Sequence, residues 1–149
     1  MQVLSHFRGK LRYGFTLIEL LLVIGIIAIL ASIVIVAINP TKQLGDARDA
    51  QRRSDVNSIL NAVYQYAIDH NGNMPAGIPT GSGTAICPSE GGVDCVDLSG
   101  LIGDYLVDIP ADPQAEAGST NYLIYKDTGG RVTVSAETPE QAAEISVTR

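Results

Sequence analysis

Residues Lys10 to Ile38 read KLRYGFTLIELLLVIGIIAILASIVIVAI, and within them one carboxylate, Glu19, stands near the start of an otherwise uncharged apolar run. The run from Phe15 to Ile38 is 24 residues long. As a helix it extends about 36 Å, enough to cross the hydrocarbon core of a bilayer with some tilt. An ionised side chain at that depth costs roughly 3 kcal/mol on insertion scales, so Glu19 needs a partner or a function. Upstream lie Arg8, Lys10 and Arg12, with no acidic residue before Gly14. The positive-inside rule therefore keeps the N-terminus in the cytoplasm and sends everything after Ile38 outward. An ordinary secretory signal fits less well: the run exceeds the usual h-region, and Ile35 and Ala37 make a poor small-x-small cleavage site.

Outward from this stretch, a chain of 149 residues has room for one further domain. The net charge of −6 becomes −9 once Arg8, Lys10 and Arg12 are set aside, and an acidic exterior argues against general nucleic-acid binding. The two cysteines, Cys87 and Cys95, bracket CPSEGGVDC. No histidine lies close enough to complete a zinc site, and the exported side permits a disulfide, so a bridge is expected in preference to free thiols. A loop this short contributes about 2.5 kcal/mol in the chain-entropy model.

After Asn39-Pro40, Val56, Ile59, Leu60, Val63, Tyr64 and Ala67 recur at helical spacing, which predicts an amphipathic helix ending near His70, with Asn71-Gly72 as its stop. Pro40 predicts a kink or short break between the two helices, which together make a long spine. AGIPTGSG, residues 76–83, has loop composition. Leu98, Leu101, Ile102 and Tyr105 suggest a short helix over Asp97 to Leu106, weakened by Gly100 and Gly103. Runs from Asn121 to Tyr125 and from Arg131 to Ala136 flank KDTGG as an antiparallel hairpin, with Val132, Val134 and Ala136 alternating against Arg131, Thr133 and Ser135. The polar stretch Glu137 to Arg149 predicts a mobile tail. The expected fold class is α+β: a long N-terminal helical spine, transmembrane in its first half and amphipathic in its second, carrying a small head with a short helix and a C-terminal antiparallel hairpin or small sheet. The segments are 1–14 leader, 15–38 apolar helix, 39–75 amphipathic helix, 76–136 head and 137–149 tail.

The run GFTLIE, Gly14 to Glu19, follows a short basic leader and opens the apolar helix; HNGNMP closes the second helix, and YLVDIPADP precedes the hairpin. On these residues the chain resembles the type IV pilin and type II secretion pseudopilin superfamily. The resemblance covers the leader and spine to about Pro75, while the head agrees only in its order of elements. It implies that a membrane-bound prepilin peptidase cuts between Gly14 and Phe15 and methylates the new terminus, Phe15, and that Glu19 is the family's acidic residue near it. The implied partners are identical or related pilin subunits, the peptidase, an inner-membrane assembly platform and lipid. The implied location is a single-pass membrane protein that passes into an extracellular or periplasmic filament. Physically, cleavage at Gly14 creates a positive amino group four residues from Glu19. A neighbour's amino group can approach it in a filament, where desolvation offsets much of the attraction, so the pair selects register more than it adds stability.

Pseudopilins of this type often hold calcium in the head, which directs attention to Asp108, Asp112 and Asp127. They lack EF-hand spacing, and solvated carboxylates are the preferred reading, so no cofactor is expected. The cysteine pair departs from many type IV pilins, whose disulfide encloses a segment near the C-terminus. The histidines, His6 in the leader and His70 at a helix end, accompany no nucleophile motif, so an enzyme is the least supported class. The leading expectation is a structural filament subunit; the alternative is a single-pass anchored binding module that does not polymerise.

Overall fold

In the computed structural model, residues 14–89, 92 and 94–149 are described. Helix α1 spans Leu17–Ile38, 22 residues, and buries none of them. Straight and branched apolar side chains cover it on all sides, as suits a helix surrounded by lipid or by other helices. It stops where Asn39 turns left-handed at φ 42°, a conformation Asn tolerates better than most residues. Helix α2, Pro40–Asp69, begins with proline in its first turn, where the missing N–H is no loss. It ends one residue earlier than the spacing predicts: Asn71 (φ 55°) and Gly72 (φ 88°) both turn left-handed, and the Gly72 N–H returns to the Ala67 carbonyl at 2.7 Å.

The chain divides into two compact units, residues 1–40 and 41–149. In the second, a four-stranded antiparallel sheet has the order β1-β2-β3-β4, with β1 Thr84–Ala85, β2 Tyr122–Lys126, β3 Val132–Ala136 and β4 Ser146–Thr148. The expected hairpin is β2–β3, registered by Ile124 opposite Val134. Asp127 shapes its turn by accepting the backbone N–H groups of Gly129 at 2.8 Å and Arg131 at 2.9 Å. Val56, Ile59, Leu60 and Val63 of α2 join Tyr122, Ile124, Val132 and Val134 of the sheet in one buried core. Loop residues Ile86, Val96, Leu98 and Leu101 complete it.

Two expectations are corrected. Residues 97–106 form only a 3-10 turn, Ser99–Leu101, because Gly103 sits at φ 96° and ends any helix there; Leu98 and Leu101 are nevertheless buried. The segment 137–149 is part of the fold: Ile145 is buried and β4 pairs with β3 through Val147 opposite Val134. A strand of three residues is too short to show periodicity, and the segment before it is held by polar contacts. Thr133, which alternates with the valines of β3, is buried as well, with its hydroxyl 2.8 Å from that of Thr148 on β4.

Candidate functional site

At the start of α1, Gly14, Phe15 and Thr16 precede the helix. Among the described residues a Cβ added to Gly14 would meet no atom within 4 Å, and Phe15 is 81% exposed, so none of them covers the backbone between the two. Thr16 is the N-cap, extended at φ −80° and ψ 150°. Its hydroxyl accepts the Glu19 N–H at 3.3 Å, while Glu19 Oε2 accepts the Thr16 N–H at 2.9 Å and its hydroxyl at 2.8 Å. This reciprocal capping box satisfies two backbone donors that the helix leaves unpaired. Glu19 thus has a partner within its own chain. All three contacts leave Oε1 without a donor among the described residues. A carboxylate has capacity for about four accepted bonds, so a further cation can be received without opening the cap.

Further along α1, the Ser32 hydroxyl donates to the Ile29 carbonyl at 2.8 Å, which removes its need for a partner in an apolar medium. At 22 residues, α1 extends about 33 Å. Among the described residues it is the helix long and apolar enough to cross a membrane, which fits membrane anchoring. The basic residues Arg8, Lys10 and Arg12, with His6, lie outside the described residues.

The head holds a second polar constellation, absent from the sequence reading. Arg52 on α2 is fully buried. Its Nε and Nη2 grip Asp112 at 2.5 and 3.0 Å; Nη1 reaches Asp49 at 2.7 Å and Glu140 at 3.1 Å; and Nη2 also donates to Gln114 at 2.8 Å. The hydrogen bonds that the guanidinium donates to Asp112 and the other carboxylates outweigh burial and hold it above its ordinary pKa. Burial alone would push the Asp49 carboxyl up, but it lies well below the usual range because the N–H groups of Glu140, Ala142 and Gln141 and the Arg52 guanidinium all point at it. Glu140 is brought down to about 2, chiefly by Arg48, with Arg52 second. Nearby, the Tyr122 hydroxyl donates to Asp55 at 2.7 Å; burial and this carboxylate raise the phenol far above its ordinary value.

Cys87 and Cys95 form a disulfide with Cα atoms 5.1 Å apart, beside the bridge between Ile86 and Val96. Of the three aspartates considered for calcium, Asp112 is committed to Arg52, Asp127 to its turn and Arg131, and Asp108 accepts the Ile109 N–H at 2.8 Å. They are not brought together, and no metal-holding cluster occurs among the described residues. His70 stacks on Tyr66 with ring centroids 3.8 Å apart, and its Nδ1 lies 2.8 Å from the Tyr66 carbonyl, where it closes the helix end.

Residues 9–35 match the family model of the prokaryotic N-terminal methylation motif. The chain therefore carries the class III signal of type IV pilin-like proteins, over the same residues as the open Gly14–Phe15 bond, the capping box and most of α1. Neither a search of curated proteins nor one of solved structures found a match.

Proposed function

We propose that this chain is a structural subunit of a type IV pilus-like or type II secretion pseudopilus-like filament. A prepilin peptidase removes residues 1–14, the new terminus Phe15 is N-methylated, and the mature subunit waits in the membrane on α1 before packing into the filament through that helix. The observation that carries this reading is the methylation motif, which falls on an exposed Gly14–Phe15 junction followed by a helix with no buried residue. A helix that buries no residue against the described part of its own chain finds partners in lipid or in copies of itself. A contact repeated by an open screw operation yields a fibre and not a closed ring.

Within that assembly Glu19 receives the amino group of a neighbouring Phe15 on Oε1, the oxygen that the cap leaves open, while Oε2 stays on Thr16. The head is carried on the extracytoplasmic side, and its reinforcement by a disulfide suits an oxidising exterior. Two measurements test the reading. Intact mass spectrometry of membrane-extracted protein should give a chain starting at N-methylated Phe15; a chain that retains residues 1–14, or starts near Ile38, overturns it. Co-expression with an assembly machinery should release sheared filaments that contain the subunit. A processed subunit that stays monomeric in the membrane would favour an anchored binding module instead.

A further inference from the structure

From Pro40 to Asp55, α2 buries Gly45, Asp49, Arg52 and Asp55 and no apolar side chain; its first buried apolar residue is Val56. Leu44 in this stretch points to solvent. A helix segment without an apolar anchor depends on tertiary contacts of another kind, since isolated helices of this length are marginal in water. Arg52 and Asp55 are held by Asp112, Gln114 and Tyr122, while the turn from Gly45 to Asp49 meets a different segment. Residues 140–142 cross the face formed by Gly45, Arg48, Asp49 and Arg52. The backbone N–H groups of Glu140, Gln141 and Ala142 all donate to the Asp49 carboxylate, at 3.0, 2.7 and 2.8 Å. The Glu140 carboxylate takes Arg48 in both oxygens, at 2.5 and 2.6 Å. Gln141 lies over Gly45 so closely that a Cβ there would come within 2.9 Å of its Nε2. The glycine thus gives up helix propensity where the crossing segment needs room.

We propose that residues 140–142 are a clasp that keeps residues 41–51 of α2 helical, and that this stretch opens as a unit when the clasp is released, without disturbing the apolar core. Arg52 marks the boundary, because Asp112 and Gln114 hold it from the other side. The clasp joins groups 91 to 93 positions apart in the chain, so it closes only once nearly the whole head is in place. Order in the turns that follow the apolar helix in sequence then signals that the head is complete. This inference concerns the head alone and stands whether or not the chain polymerises.

Hydrogen exchange of the full chain in detergent micelles, compared among wild type, Asp49→Ala and Glu140→Gln, tests it. Amides 44–51 should exchange roughly ten- to a hundredfold faster in the variants, the factor implied by losing charge-assisted hydrogen bonds. Amides of 56–67 and of β2 and β3 should stay slower than those of 44–51 in all three proteins and accelerate by no more than the same factor. Unchanged rates at 44–51 in both variants overturn the clasp, as do wild-type amides at 44–51 that exchange no faster than those of 56–67 and the sheet. If Asp49→Ala unfolds the whole head, Glu140→Gln decides by the same criteria.

Discussion

Thr16 and Glu19 hold each other across the first turn of α1, with the Glu19 carboxylate 2.9 Å from the Thr16 nitrogen and 2.8 Å from its hydroxyl, all through one oxygen. A charge at the edge of an apolar helix is thereby satisfied locally, and among the described residues its second oxygen meets no donor. The two residues should consequently differ when substituted.

Glu19→Ala is expected to insert, to be cleaved after Gly14 and to fold its head, yet to yield no filament, because it removes the proposed acceptor along with the carboxylate half of the capping box. Thr16→Ala keeps the residue-16 N–H as a donor to Glu19 and loses only the hydroxyl, a cost of about 1 kcal/mol at an N-cap. It should reduce sheared filament and not abolish it. Comparing membrane-retained subunit with sheared filament for each variant checks this; normal yield from Glu19→Ala defeats the pairing.

Arg52→Ala is expected to destabilise the head by about 3–5 kcal/mol, because it leaves Asp49 and Asp112 buried without their cation. Arg52→Met combined with Asp112→Leu should recover part of the loss, since it removes one of the two stranded carboxylates and fills the space with apolar side chains, while Asp49 keeps its three backbone donors. Urea unfolding of the three proteins in the same micelles provides the comparison.

Acid should loosen the head in a defined window. Asp49 and Glu140 titrate below their unfolded values, so the folded state binds fewer protons than the unfolded one, and their contribution is complete above roughly pH 4.3. It is lost as pH falls through the folded values, which for Glu140 is about 2. The urea midpoint should therefore decline between about pH 4 and 2. Asp49→Asn should flatten that decline, and an identical slope in the variant would remove Asp49 from the explanation.

Reduction of the Cys87–Cys95 bridge, or Cys87→Ser with Cys95→Ser, should lower head stability by about 2.5 kcal/mol while the β2–β3 hairpin persists. Alkylation without reductant should label neither cysteine; full labelling of the folded protein would contradict the bridge.

The spine and the hairpin are legible in the sequence because each has its own period: an unbroken apolar run, a face at 56, 59, 60 and 63, and alternating valines at 132 and 134. The cap is legible too, although reading the run for charge alone passes it by, since Thr16-Leu17-Ile18-Glu19 has the T-x-x-E spacing of a capping box. Arg52 leaves a subtler trace. Carrying the apolar face of α2 backward from Val56 and Ile59 by helical steps lands on Arg52, Asp49 and Gly45, charges and a glycine where hydrophobic residues would continue the pattern. Their partners, Asp112 and Glu140, sit in segments without periodicity, so nothing local identifies them. β4 escapes for the same reason, being three residues recruited by a neighbouring strand.

The uniform apolar surface of α1 has a consequence for orientation. A helix with a polar stripe announces which side faces inward, but α1 buries nothing and is apolar around its whole circumference, so its bulk contains no azimuthal information. Gly25 offers only a missing side chain, and the Ser32 hydroxyl is already spent on Ile29. In a crowd of identical helices, rotation about the long axis costs little along most of the rod. Glu19 is the one mark that breaks this rotational symmetry, and it lies at the very end of the rod, where a small set of contacts can set the heading of the entire helix.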